Sequence, residues 1–397
     1  MNHSQRFHSL DNLRAIMMWL GIVLHVAVNH TVEQGLLPWH DPAASRVADL
    51  ALVFIHAFRM PVFFILAGFF VAMLASRRGY GGMLKHRMRR IGVPFLVFWP
   101  IIYVGMGILA MNYVHLMVRG TLGIDESIMP VDPARPVINT MHMWFIYYLA
   151  WFCVATALIG RLAKYIPDGF KEAVSRMWSV LVSRWWGFLL LALPLAVIGL
   201  PYKWGVVVSS GSFVPQFTEF VHNGLFFMAG LYVYRHRDAV LELCSNNGWR
   251  YATAGLVLFM AYLVIAEVLR NDEASNMHVR MGLALMYNFI SWMWSFALIG
   301  LFLRYLPDQN SFLRYVAESS YWVYLVHMLG TVGFGILLYG MPFGAVTKMG
   351  INILATTIAG IVSYHLLVRY TPISTLLNGH RFSFRTKQRI GDNVSVA

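Results

Sequence analysis

Charge is what this sequence has least of. Only 12% of its 397 residues are Asp, Glu, Lys or Arg while 58% are hydrophobic, against roughly a quarter charged in an ordinary soluble domain. That balance excludes water as the main solvent of the fold. Short strand-like alternation is also missing, which excludes a transmembrane β-barrel and leaves helices to satisfy the backbone in lipid. There are two cysteines, Cys153 in an apolar run and Cys244 in a connecting loop, so neither a disulfide framework nor a redox role follows. Fifteen histidines are present without an HExxH or CxxC pattern, so no metal site is expected. Walker, Rossmann and GxSxG signatures are absent too: Gly105 and Gly107 lie inside an apolar run and lack the surrounding motif. No Pro- or Ser-rich linker and no repeat of the inverted-symmetry kind divides the chain.

What is there is a succession of apolar runs of about 20 residues, each long enough to cross a hydrocarbon core of roughly 30 Å as helix. They fall near 13–32, 50–75, 91–117, 142–160, 185–200, 216–234, 251–269, 281–303, 319–339 and 348–368. The expected fold is all-α, a polytopic membrane bundle of about ten transmembrane helices spanning residues 1–372, with a tail over 373–397. No small-residue cleavage site follows the first run, so the first helix is expected to stay. With a cytoplasmic N-terminus, 23 of the 31 Lys and Arg residues fall in loops on the cytoplasmic side and 7 on the other, Arg59 lying inside a span. That asymmetry predicts both termini in the cytoplasm. The net charge of +13 is then mostly a topological bias facing an anionic lipid surface, and gives no case for nucleic acid.

Ionisable groups inside a bilayer are costly enough that each becomes a candidate site. Asp11 and Arg14 open the first span, and His25 follows Arg14 by eleven residues. At about 100° per residue this is only about 20° past three full turns, with a rise on the order of 16 Å, so Arg14 and His25 share one helix face. An imidazole can take a proton from a hydroxyl and return it, and a guanidinium can hold phosphate or carboxylate by a bidentate fork. Equally, Arg14 can be a topology anchor and His25 a packed histidine bonded to a carbonyl. The second span holds His56 and Arg59, followed by Pro61 and Gly68. Pro61 frees backbone carbonyls that Arg59 could bind, so Arg59 reads as a structural group or a substrate contact. Gly68 would let another backbone approach closely.

The segment 77–90 carries Arg77, Arg78, Lys85, Arg87, Arg89 and Arg90 with three glycines. It reads as a flexible loop that can dock a polyphosphate or touch acidic lipids. His142 with Trp144, Glu219 with His222, and His327 complete the set of polar groups at substrate or structural positions. Glu219 and His222, three residues apart, could satisfy one another. The methionine clusters, such as Met17 with Met18, read as packing.

These motifs together resemble the acyltransferase 3 family of membrane acyltransferases. The likeness rests on Leu10-Asp11-Asn12-Leu13-Arg14, the spacing from Arg14 to His25, Phe63 to Phe69, Arg87 to Pro94, His142-Met143-Trp144 and Ser320 to His327, in that order over nearly the whole chain. Ile55 to Met60 with Phe63 and Phe64 is most similar to members that succinylate periplasmic glucans. One departure is Ala67, where the family often has serine, so a hydroxyl role there is excluded. The resemblance implies a multi-pass enzyme of the bacterial inner membrane with no bound cofactor. Its co-substrate would be acyl-CoA, either succinyl-CoA or acetyl-CoA. The phosphates would be held near Arg14, Arg77, Arg78, Lys85, Arg87 and Arg90, and the acceptor would be a hydroxyl of a periplasmic glucan or another polysaccharide. His25 would act as general base or would itself be acylated. Because the chain ends about thirty residues after its last span, with no added soluble transferase domain, direct transfer to the acceptor is the expected route. On composition and spacing alone, a proton-coupled transporter of anions or lipids would use the same buried groups.

Overall fold

The computed structural model describes residues 3–33, 37–130, 136–184, 186–269, 276–308 and 310–381. These form helices and connecting loops, with no β-strand among the described residues. Twelve α-helices follow one another: α1 His3–Val28, α2 Arg46–Arg87, α3 Val93–Arg119, α4 Trp144–Leu162, α5 Asp168–Ser183, α6 Gly187–Gly199, α7 Phe217–Arg235, α8 Arg237–Val268, α9 Met277–Tyr305, α10 Ser311–Leu338, α11 Ala345–Ser363 and α12 Pro372–Leu377. Seven helical segments are long and apolar enough to cross a membrane, the segment Arg46–Arg119 being continuous through α2 and α3. They take up eight of the ten expected spans. The other two fall on α6 and α7. At 13 residues α6 rises only about 20 Å, and α7, which carries Glu219, His222 and Asn223, is less apolar than the seven.

The segment 77–90 departs from the expected flexible loop. The chain stays helical through it and enters a π-helical turn at Met88–Gly92 before α3. A single residue departs from helical geometry: Gly79, with φ 68° and ψ 170°, supplies a positive-φ kink that a residue with a Cβ resists. Met83 is buried in this segment, while Arg77, Arg78 and Lys85 are exposed. The first span also ends early, at Val28 rather than 32, because the chain turns through Asn29 and His30, whose N–H groups bond back to Val26 and Ala27. The tail is described only to Arg381; its remainder, with Arg385, Lys387 and Arg389, lies outside the described residues.

Antiparallel succession gives the bundle two ends. One, here the basic end, gathers the start of α1, the 77–90 segment and α12, and is tied by Ser76 to Tyr234 and by Arg90 to the Thr375 carbonyl. The other, the loop end, gathers residues 29–33, 37–45, 136–143 and 200–216. There Lys348 of α11 donates to both oxygens of Asp41 at 2.9 and 3.0 Å, both side chains being 1% exposed. This buried ion pair clamps the α1–α2 connection onto the bundle.

Glycine decides how closely α2 approaches α7. A Cβ on Gly68 would strike the Phe227 carbonyl, and one on Gly230 would strike that of Ile65, so the two backbones touch where the expectation for Gly68 asked for close approach. Around this crossing Phe63, Phe64, Phe145, Phe152 and Phe227 stack edge and face. Outward-facing Leu96, Val257 and Leu354 are more than half exposed, a surface suited to lipid and not to water.

Candidate active site

Three imidazoles meet at the loop end. His25 comes from α1, His142 from the 3₁₀ turn Met141–Met143 that leads into α4, and His327 from α10. Their ring centroids are 5.2 Å apart for His25 and His327, 5.1 Å for His142 and His327, and 6.5 Å for His25 and His142. The backbone orients two of the three. His142 donates from Nε2 to the Leu325 carbonyl at 3.1 Å, and His327 donates from Nδ1 to the Tyr324 carbonyl at 2.8 Å. Each bond fixes a tautomer and leaves the other nitrogen, His142 Nδ1 and His327 Nε2, as a lone pair. Both are buried and unpartnered among the described residues. His25 makes no hydrogen bond among the described residues, and is the most accessible of the three, so it is the ring free to meet a substrate.

Arg59 of α2 completes the cluster. It is 6% exposed and interacts electrostatically with all three histidines. Its Nε donates to the Met17 carbonyl of α1 at 3.0 Å, and its guanidinium lies over the Phe63 ring. The carbonyl it binds therefore belongs to α1, not to the turn freed by Pro61. Room for it comes from Gly21, one turn before His25: a Cβ there would press on Arg59 and stand 3.3 Å from His327 Nε2. Among the described residues no group of three or more His, Cys, Asp or Glu is placed to hold a metal ion, and the Arg59 cation would repel a divalent ion at the imidazoles.

His142 is held from several sides. Its carbonyl accepts from the Tyr324 hydroxyl at 3.0 Å, and the preceding Met141 has φ 52°, a conformation costly without glycine. Such strain persists only where neighbours over-determine it. Here Asn139 Oδ1 accepts from the Met141 N–H at 2.9 Å, while Thr140 binds the Gly211 carbonyl through both its N–H and its hydroxyl.

At the basic end Arg14 forms an ion pair with Asp11 at 3.2 Å and lies over the Phe70 ring of α2. Arg14 pairs with Phe70 as His25 pairs with Arg59, an eleven-residue step on each of two antiparallel helices, so one interface runs from the cationic mouth to the imidazoles. Of the other cations expected at a donor site, Arg87 joins this mouth, interacting with Arg14 and Asp11 and keeping a buried Nε that has no partner among the described residues. Arg77, Arg78 and Lys85 are exposed on the surface of the basic end. Arg90 turns away, toward α12 and the Thr375 carbonyl.

The remaining candidates form a neighbouring group. His56 Nδ1 pairs with the Tyr287 hydroxyl at 2.9 Å, and His222 Nε2 donates to Asn288 Oδ1 at 3.3 Å. With Asn223 and Ser291 they line a cavity of about 20 Å³, room for one water and not for a sugar. Glu219 and His222 do not satisfy each other: the Glu219 carboxylate accepts from Tyr148, Ser209 and Ser210 instead. Sequence reasoning missed Gly21, Thr140, Gly211 and the Asp41–Lys348 pair. Gly21 had a readable signal, four residues before His25 on the same face.

A protein in which an accessible imidazole, two oriented imidazoles and a buried guanidinium meet in a membrane bundle suits group transfer. The family model described as Acyltransferase domain matches residues 7–366. The chain belongs to this family, the acyltransferase 3 family, and is a membrane acyltransferase. Among curated proteins it is similar to Glucans biosynthesis protein C of Salmonella gallinarum, 27% identical over 380 residues, covering 88% of this chain and 90% of that one. The protein of the same name from Salmonella agona is 26% identical with the same coverage. No solved structure matches the chain.

Proposed function

We propose that the protein transfers an acyl group, succinyl in the best-supported reading, from cytoplasmic acyl-CoA to hydroxyls of a periplasmic glucan across the bacterial inner membrane. In this reading the basic end faces the cytoplasm together with both termini, the loop end faces the periplasm, and α6 and α7 bring the crossings to ten. Arg14 and Arg87 hold CoA phosphates by charge-assisted forks, and exposed Arg77, Arg78 and Lys85 attract the anion. Arg90, bound to α12, has a structural role.

At the imidazoles, His25 accepts the proton of the sugar hydroxyl as its oxygen attacks the thioester carbonyl. Arg59 steadies the oxyanion of the tetrahedral intermediate. The carbon–sulfur bond then breaks, and the departing thiolate takes the proton back from His25. In the alternative order His25 itself attacks the thioester, releases CoA and passes the acyl group to the sugar. His56 and His222 act outside the reacting atoms.

The observation that carries the reading is the convergence of His25, His142, His327 and Arg59 at one end of an α1–α2 interface whose other end holds Arg14. The glucan assignment comes from the name that the similar Salmonella proteins carry. The test is thioester consumption by the purified protein with a glucan acceptor. Release of free CoA with an acylated glucan is expected, whereas a transporter would move CoA or glucan unchanged. An acetylated product, or a preference for another polysaccharide, would move the donor or acceptor assignment within the family.

A further inference from the structure

Glu219 lies in the first turn of α7 and is 1% exposed. A carboxylate in such a position is costly unless its oxygens are satisfied, and no cation pairs with it among the described residues. Three donors satisfy it. The Tyr148 hydroxyl and the Ser209 hydroxyl donate to Oε2 at 2.9 and 3.0 Å, and the Ser210 N–H donates to Oε1 at 2.9 Å. Only an acceptor on both atoms can do this, because an amide would set an NH₂ group against one of the donors.

The loop held this way has a partner. Ser209 Oγ also accepts from the Gly211 N–H at 3.2 Å, and Gly211 has φ 70°, a turn that favours glycine. The Gly211 carbonyl then accepts twice from buried Thr140, from N–H at 2.7 Å and from the hydroxyl at 2.8 Å. Thr140 precedes the strained Met141, and Met141 precedes His142. A continuous set of hydrogen bonds therefore runs from a buried carboxylate on α7, through one loop, to the turn that presents an imidazole of the candidate site.

We propose that Glu219 is a positioning residue: by binding the Ser209–Gly211 loop it fixes the Thr140–His142 turn and so holds the His142 ring against His25 and His327. A purely local role would stabilise α7 and the loop alone. A positioning role reaches across to α4 and is felt in turnover more than in donor binding.

Two measurements on the purified full chain in nanodiscs test this. The first is backbone hydrogen exchange in Glu219→Gln, which needs no substrate. Exchange is expected to rise by about tenfold or more both at 210–212 and at 140–143, with α1 and α10 unchanged. A rise confined to 210–212, or one spread through the whole bundle, would overturn the proposal. The second rests on the acyl-transfer reading. Glu219→Gln should lower kcat by roughly 10- to 100-fold at an unchanged KM for the acyl donor, with Glu219→Asp recovering part of the loss. Combined with Thr140→Val it should be no worse than the poorer single variant, since both act along one path. Additive losses, or a change in KM alone, would overturn it. A parent protein without acyl transfer would refute the functional reading and leave the exchange result to decide the positioning claim. Should Glu219→Gln fail to accumulate, Ser209→Ala removes the bridging hydroxyl and serves in both assays.

Discussion

His25 carries no hydrogen bond among the described residues, while His142 and His327 on either side are oriented by backbone carbonyls. The free ring is the one able to turn toward a substrate and away again. His25→Ala is expected to leave membrane abundance near normal and to reduce acyl transfer between about a hundredfold and ten-thousandfold, the range of general-base catalysis. His25→Gln keeps a hydrogen-bonding group without a base and should be equally inactive. Transfer by purified His25→Ala within about twofold of the parent would remove the assignment. Arg14 makes a separate claim. It lies at the mouth with Asp11 and Arg87, so Arg14→Ala should raise the KM for acyl-CoA by about tenfold and leave that for the glucan unchanged, with Arg14→Lys in between because a lone ammonium lacks the fork. If Arg14 only anchors topology, lysine will match the parent; kinetic constants for the two variants separate the cases. Raised salt should also weaken donor binding where exposed Arg77, Arg78 and Lys85 contribute, since such charges are screened within roughly 8 Å at physiological ionic strength.

Among the elements, α1 and α2 were the most legible. The period of α1 put Arg14 and His25 on one face, and that face meets α2 in the structure through Phe70 and Arg59. Gly68 announced a close crossing, and α7 supplies it. The turn before α4 was not legible: its Met141 conformation is imposed by Thr140, Asn139 and Gly211, and no local pattern encodes a bond between residues 71 positions apart. The Asp41–Lys348 pair joins residues 307 positions apart, and in the sequence each is an ordinary loop charge. Its energetics can be checked directly. Lys348→Met leaves a buried carboxylate uncompensated and should cost about 3–5 kcal/mol, whereas adding Asp41→Asn, which still accepts from the Ala43 N–H, should recover most of it. Thermal unfolding of both variants in detergent measures the difference. Equal loss in single and double variants would show that the pair contributes no more than its packing.

For the whole molecule, composition alone gave the helical class and the seven segments long and apolar enough to cross a membrane, on which eight of the ten expected spans fall, because length and apolarity are local properties. It could not decide α6 and α7, one short and the other polar on account of Glu219, His222 and Asn223. The proposed sidedness rests on the charge asymmetry and is open to test. With Cys153 and Cys244 replaced, Lys85→Cys should react with impermeant reagent only from the cytoplasm, and Ala44→Cys and Val214→Cys, all exposed positions, only from the periplasm. Asp41 itself is unsuitable, being buried in its ion pair. The opposite pattern would exchange the donor and acceptor sides. The central claim, acyl transfer to periplasmic glucan through His25, is tested most directly by mass analysis of periplasmic glucans from cells lacking the gene and from the same cells carrying the parent or His25→Ala chain. The account predicts succinylated glucan with the parent and unmodified glucan in the other two; acylation that persists without the gene, or that His25→Ala restores to the parental level, would contradict it.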